Sequence, residues 1–434
     1  MLAHDIALAL RSLRRTPLSS ALMVLAVALG IGTAMTMLVV LRNLSGDPLP
    51  QRSAVLYHPQ VDPRPLGAGD DPEPPDDLTW HDATALFELP APRRTMTSSN
   101  WLPVRADERA PPTMQTTRAA TADFFPMFDV PFLHGRGWTA EEDAARAQVV
   151  VLDRDLSQRL FGGGDSVGRE LTIATRSFRV IGVVDRWNPQ PRFYDLNSGA
   201  FDAEPVGMFV PFSAWMDLPQ DYGYGPMRCW GDDPGAGLHD PKTPHCTWVQ
   251  FWVELATPAQ VEGYRAALAA YSRAQAESGR FERPPNVRLR GLVDWLDHKR
   301  VIPQTVRMQA WIAFGVLLVC LLNTLGLMLA KFLRKSSEIG IRRCLGASRR
   351  AIFAQCLTEA GTLGLAGGLL GLPLAWLGLW LVRQQPVQYA ALAKLDPAML
   401  AAALGLAIAA TLCAGLWPAW RASRVAPALQ VKSL

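Results

Sequence analysis

Residues 18–41 read LSSALMVLAVALGIGTAMTMLVVL, 24 consecutive positions without a charged side chain. A helix needs about 20 apolar residues to cross a hydrocarbon layer about 30 Å thick, so this stretch is long enough to span a membrane. Three more such runs follow, at 308–330, 351–382 and 398–420. Lipid offers no partner to backbone amides, so each is expected as an α-helix. Buried helices of soluble domains rarely run this long without a charged face, which disfavours the alternative. The third run is interrupted by Glu359, Pro373 and several glycines, and Glu359 is expected to snorkel to the interface.

Over 434 residues the chain is 49% hydrophobic with a mean hydropathy of only +0.08, an average of two unlike zones. Residues 44–307 carry 27 Lys and Arg against 35 Asp and Glu, while the rest of the chain carries 16 against 4. Basic residues favour the cytoplasmic side of a span. Arg11, Arg14 and Arg15, the segment from Lys331 to Arg350, and Arg421, Arg424 and Lys432 are therefore expected inside, with both termini. The acidic segment is expected outside, and the net charge of +4 gives no sign of nucleic-acid binding. The first run is too long for a cleaved signal peptide and reads as an anchor.

The expected organisation is an amphipathic interfacial helix over 1–17, with Ile6, Leu10 and Leu13 on one face, then a first span over 18–42. An external α+β domain follows over 43–306, a second span over 307–331, a cytoplasmic segment over 332–350 and a third span over 351–382. A short external loop over 383–397, a fourth span over 398–420 and a cytoplasmic tail over 421–434 complete it. The fold class is thus a helical membrane protein with four transmembrane helices, and an α+β domain inserted between the first two.

In the external domain, strands are expected at AQVVVLD, ELTIAT, SFRVIGVV, GMFVPF and CTWVQFWVEL, and helices over 155–160 and 258–278. Two stretches rich in Pro, Gly and Asp, at 58–77 and 223–246, read as loops. Of six cysteines only Cys229 and Cys246 lie in this domain, and they bracket the second loop. A disulfide suits an oxidising compartment. A zinc site using Cys229, His239, His245 and Cys246 is the other reading, unsupported by any closely spaced Cys pair.

The sequence gives no support to an enzyme active site. GGGDSVGRE, at 162–170, has Arg169 and Glu170 where a phosphate-binding P-loop needs Lys and Ser or Thr. There is no HExxH, and the histidines are scattered. Small residues four apart do recur in the spans: Gly30 with Ala34, Gly364 with Gly368, and Gly367 with Gly371. Such spacing lets helices approach closely, either within the chain or between subunits.

Residues 336–350, SSEIGIRRCLGASRR, combine four arginines with Ile339, Ile341 and Leu345. Topology explains the arginines, but the apolar residues need a surface to cover. Gly346 and Ser348 read as a helix stop followed by a fresh N-cap. The longer stretch EIGIRRCLGASRRAIFAQCLTEA, 338–360, resembles the pattern joining spans two and three in FtsX/MacB-type ABC transporter permeases. The tail PAWRASRVAPALQVKSL resembles that family's ending. ADFFPMFDVPFLHGRGWTAEED and the segment over 149–184 are similar to the MacB-like periplasmic core domain. Cys344 stands where the family usually has Ala.

The resemblance implies a non-catalytic inner-membrane permease, working as a dimer with an identical or homologous copy. It implies docking on a cytoplasmic ABC ATPase dimer, a separate chain that binds the ATP and Mg2+; this chain binds no cofactor. The docking residues carried over are Glu338, Ile339, Gly340, Ile341, Arg342, Arg343, Leu345, Gly346, Arg349 and Arg350. Such permeases convert ATP-driven motion into movement of the external domain for export or extraction of a substrate, with a periplasmic adaptor and outer-membrane channel as further partners. The alternative within the resemblance is an FtsX-like signalling module that controls a periplasmic partner such as a cell-wall hydrolase.

Overall fold

A computed structural model describes residues 16–69, 71–107, 111–202, 204–219, 224–230, 242–385, 390 and 397–424. The expected interfacial helix before residue 16, most of the loop over 383–397 and the tail after 424 lie outside these. The elements run α1 (Pro17–Ser45), β1 (Leu56–Val61), β2 (Leu78–Thr79), α2 (Trp80–Phe87), β3 (Arg93–Arg105), β4 (Thr113–Ala120), α3 (Phe124–Met127) and β5 (Phe132–Gly135). Next come α4 (Ala140–Ala144), β6 (Val149–Asp153), α5 (Arg154–Phe161), β7 (Glu170–Ile173), β8 (Arg176–Val184), β9 (Met208–Pro211), α6 (Phe212–Trp215), β10 (Arg228–Cys229) and β11 (Cys246–Glu254). The chain continues through α7 (Pro258–Glu277), β12 (Val287–Gly291), α8 (Leu292–His298), α9 (Gln304–Arg334), α10 (Ser336–Cys344), α11 (Arg349–Arg383) and α12 (Pro397–Ser423). It separates into a helical unit, built from α1 and α9–α12, and a mixed unit over Gly46–Val301.

Four helices of the first unit are long and apolar enough to cross a membrane. Helix α1 is the most enclosed of them, packed against α9 and α11, while α12 packs on α11 and α9. Thr36 on α1 donates both to Gly32 O at 2.8 Å within its own helix and to Ala375 O of α11 at 3.4 Å.

In the second unit, twelve strands among the described residues form one sheet, nine of them in the order β12-β1-β11-β3-β4-β9-β6-β8-β5, with β2 and β10 paired to β11. Strand β7 pairs with both β3 and β8, so pairing from β3 through β4, β9, β6, β8 and β7 returns to β3 as a closed ring. The sheet divides two cores because successive side chains point to opposite faces. Val150, Leu152, Met208 and Val210 enter one core, with Leu86 of α2 and Leu268 of α7. Val149, Val151 and Phe209 enter the other, a largely aromatic one with Phe124, Phe128, Tyr194, Trp252 and Trp295. Burial on both faces is why β6 reads VVVLD without alternation.

The five expected strands are present, and so are both expected helices. The 20-residue α7 starts at a capping box, in which Thr257 accepts from Gln260 N and Gln260 reaches back to the Thr257 amide. One reading needs correction. Residues 58–61, read as the start of a loop, continue β1, antiparallel to β12. The rest of that Pro-rich stretch is pinned by arginines: Arg64 pairs with Asp62 at 2.7 Å, Arg290 with Glu73 at 2.5 Å, and Arg283 Nε donates to Pro65 O at 3.1 Å.

Candidate coupling site between the second and third membrane helices

The turn between α9 and α11 holds the residues the sequence singles out. Glu338 lies in the first turn of α10 and Arg342 and Arg343 in its last, the charge order that a helix dipole favours. Arg342 donates to Glu338 Oε1 at 2.8 Å and to Gln355 Oε1 at 3.0 Å, which ties α10 to α11. Gly346 has φ +100°, a left-handed conformation in which a side chain is strained, and it ends the helix. Ser348 then caps α11, its hydroxyl accepting from Ala351 N at 3.2 Å.

This geometry sets an inward pair apart from an outward group. Gly340 is buried, and Ile339 packs against a cluster containing Met23, Phe332, Ile352 and Cys356. Ile341 and Leu345 point outward, Leu345 with 83% of its surface accessible, and Arg349 and Arg350 are exposed beside them. The outward set thus combines two large apolar side chains with two guanidinium groups.

Sequence reasoning missed what stands behind the elbow. Glu359 does not reach outward: it is 5% exposed, with Lys331 Nζ at 2.5 Å and Lys335 Nζ at 3.6 Å. Lys331 also reaches Ser20 Oγ of α1 at 3.5 Å. The ion cluster therefore links α9, α11 and α1 at the root of α10. A carboxylate enclosed by apolar helices is retained only with such partners. The signal lay in the sequence as Lys331 and Lys335 four residues apart, facing a lone acid on the next span.

The small residues pack the helices of this chain against one another. A Cβ on Gly30 would lie 3.1 Å from Leu317 Cδ1 and Cys320 Cβ of α9. Gly364 and Gly368 face Thr411 and Ala407 of α12, whereas Gly367 and Gly371 face Val27 and Ala28 of α1. Ala34 is buried as well.

In the mixed unit Cys229 and Cys246 are joined by a disulfide across the β10–β11 pair. Both sulfurs are thereby committed, so the zinc reading loses two of its four ligands, and His239 lies outside the described residues. A buried polar seam crosses the aromatic core. Arg118, 1% exposed, pairs with Asp195 and donates to Gln250 Oε1 at 2.6 Å. His58 Nδ1 and Nε2 lie 2.9 and 2.8 Å from the carbonyls of Phe251 and Asp76, and burial lowers its pKa. Burial, with Asp76 and Asp195 nearby, pushes the Asp77 carboxyl up to about 7. Arg118, Asp195 and Gln250 are buried and bonded to one another, the arrangement of a structural support.

Comparison with known proteins agrees with both halves. Residues 20–271 match the MacB-like periplasmic core domain, and residues 310–427 the FtsX-like permease C-terminal family. Among curated relatives, the macrolide export ATP-binding/permease protein MacB of Azoarcus sp. (strain BH72) is 26% identical over 434 residues, covering 98% of this chain and 58% of that protein. An uncharacterized ABC transporter permease, YvrN of Bacillus subtilis (strain 168), is 26% identical over 57% of this chain and 54% of its own length. The pyoverdine export ATP-binding/permease protein PvdT of Pseudomonas entomophila (strain L48) is 26% identical over 70% of this chain and 41% of its own length. The chain spans about half the length of these relatives. Among solved structures, the periplasmic region of MacB from Actinobacillus actinomycetemcomitans aligns with TM-score 0.35 and 14% identity, over 62% of this chain and 95% of that one. With a core domain that matches over more than half the chain, and a permease domain that takes in the elbow and the last three long helices, the protein belongs to the family of MacB/FtsX-type ABC transporter permeases.

Proposed function

We propose that this chain is the permease subunit of an ABC transporter whose ATP and Mg2+ are bound by a separate cytoplasmic ATPase dimer. The chain works beside a second permease copy, with the elbow and both termini in the cytoplasm and residues 46–301 in the periplasm. The observation that carries this reading is the outward group of Ile341, Leu345, Arg349 and Arg350, held between two membrane helices. Two apolar side chains fill a groove, and guanidinium groups meet carboxylates or helix C-termini on the ATPase.

ATP-driven closure of the ATPases displaces α10. Gly346, in its left-handed conformation, ends α10 just before α11 begins, while Ile339 and the Lys331–Glu359 cluster tie the elbow to α9 and α1. The last residue of α1 is Ser45 and the mixed unit begins at Gly46, so displacement of α1 passes directly into that unit. A ligand shifts such an equilibrium only by contacting its two states differently, which is what docking at the elbow supplies. The work done is export or extraction of a substrate on the periplasmic side.

Affinity purification of the full chain from its native membranes in mild detergent tests this. An ABC ATPase is expected to co-purify with the wild-type chain and to be lost from Leu345→Glu and from Arg349→Glu/Arg350→Glu. Retention of the ATPase by both variants would move the docking site elsewhere. A cell-wall hydrolase in place of transport partners would favour signalling.

A further inference from the structure

Exposed tryptophans of the helical unit gather towards the ends of its long helices. Trp311 lies near the start of α9, and Trp376 and Trp380 near the finish of α11, at the end away from the elbow. Trp417 and Trp420 lie in the last turns of α12, whose Ala419 and Ala422 share a cluster with Phe332, Ile339 and Ile352 at the elbow end. Indole rings on membrane helices favour the level of the lipid headgroups, so these two mark the elbow-side surface of the bilayer.

At that end the rings carry cations. The Arg421 guanidinium lies 5.6 Å from the Trp417 ring centre, and that of Arg424 4.0 Å from the Trp420 ring centre. Cys413, Leu416, Trp417, Trp420, Arg421 and Arg424 are all exposed, and their spacing of three and four puts them on one stripe. Pro418, Ala419, Ala422 and Ser423 of the same turns are buried. The stripe therefore faces out of the four helices.

The two cations also lack a counter-charge. Among the described residues, the ion pairs of the helical unit join Glu359 to Lys331 and Lys335, and Glu338 to Arg342. Arg421 and Arg424 enter none of them. They stand one turn apart, about 4.5 Å along the axis, close enough to grip one phosphate, whose oxygens match the fork of a guanidinium.

We propose that this stripe holds an anionic glycerophospholipid of the elbow-side leaflet, its phosphate between Arg421 and Arg424 and its acyl chains along Leu416 and Cys413. A lipid is the occupant because the stripe passes from apolar through indole to cationic within three turns, in the order that a bilayer passes from chains to headgroups. A zwitterionic headgroup would bring an ammonium group against the guanidinium pair, so the stripe selects net negative charge. The inference needs the long helices to cross a bilayer; it does not rest on the elbow docking an ATPase.

Native mass spectrometry of the full chain, delipidated in a non-ionic detergent, tests this, because each bound lipid and each added copy of the chain is read as a mass. The probes are dioleoyl phosphatidylglycerol and dioleoyl phosphatidylcholine, titrated separately. The first phosphatidylglycerol is expected to bind at least tenfold more tightly than the first phosphatidylcholine. Arg421→Gln and Arg424→Gln are each expected to weaken phosphatidylglycerol about fivefold and to leave phosphatidylcholine nearly unchanged. Arg307→Gln/Arg383→Gln removes two exposed arginines from the opposite end and is expected to keep the preference. Excess inorganic phosphate is expected not to displace the lipid, whose chains hold it as well. Thermal unfolding like that of the wild type confirms that each variant is folded. Equal binding of the two lipids by the wild-type chain, unchanged phosphatidylglycerol affinity in both single variants, or an equal loss in Arg307→Gln/Arg383→Gln would overturn the site. Displacement by inorganic phosphate would reduce it to an anion site, and loss of a dimer with lipid binding intact would give the stripe to a second copy; either result overturns the proposal. None of these results bears on the elbow, where the permease reading is tested.

Discussion

Glu359 carries much of the helical unit's specificity. Its carboxylate has two ammonium neighbours, Lys331 at 2.5 Å and Lys335 at 3.6 Å. Removing the acid strands two cations, whereas removing Lys331 leaves Lys335 to compensate. Glu359→Leu is therefore expected to destabilise the helical unit by about 3–5 kcal/mol, Lys331→Leu by less, and Lys331→Leu/Glu359→Leu to recover most of the loss. Thermal unfolding of the detergent-solubilised chain checks the order; equal losses in all three variants would mean that the ion cluster contributes nothing beyond volume. Sequence reasoning passed over this pairing, because snorkelling is the ordinary fate of a lone acid near a helix end. Only tertiary packing brings a lysine from 28 positions earlier against it.

Among elements, α11 shows why small residues alternate between two registers. Gly364 and Gly368 admit α12, and Gly367 and Gly371 admit α1, so one helix packs closely on two sides. A leucine at Gly364 would collide with Thr411 and the Ala407 carbonyl, and one at Gly367 with Val27 at 2.5 Å. By contrast, a Cβ on Gly326 of α9 or Gly405 of α12 would meet nothing within 4 Å among the described residues. Size-exclusion profiles and unfolding temperatures are expected to suffer in Gly364→Leu and Gly367→Leu, and to hold in Gly326→Leu and Gly405→Leu. The reverse pattern would assign the α11 glycines to no intrachain contact. The spans were legible because lipid demands unbroken apolar runs, and β6 and β11 because both of their faces are covered. Strand β3, RRTMTSSNWLPVR, was not, since Thr95, Thr97 and Ser98 fill its buried positions through hydrogen bonds instead of apolar bulk. Thr97, for example, donates to Ala119 O at 2.8 Å.

For the whole molecule, the central claim is that work done on α10 arrives in residues 46–301. The elbow was recognisable from EIGIRRCLGASRR, but the partition of its residues into an outward group, proposed for docking, and an inward group packed on the helices needed the fold. The disulfide and the arginine-held loop make the mixed unit a body that can be moved as a piece. Hydrogen–deuterium exchange of the permease with its ATPase in nanodiscs, with and without ATP and Mg2+, measures that transfer directly. ATP is predicted to change protection in the two segments that join the mixed unit to α1 and α9, around β1 and α8, and Leu345→Glu to abolish the change. Unaltered exchange throughout residues 46–301 while the bound ATPase turns over would contradict the account.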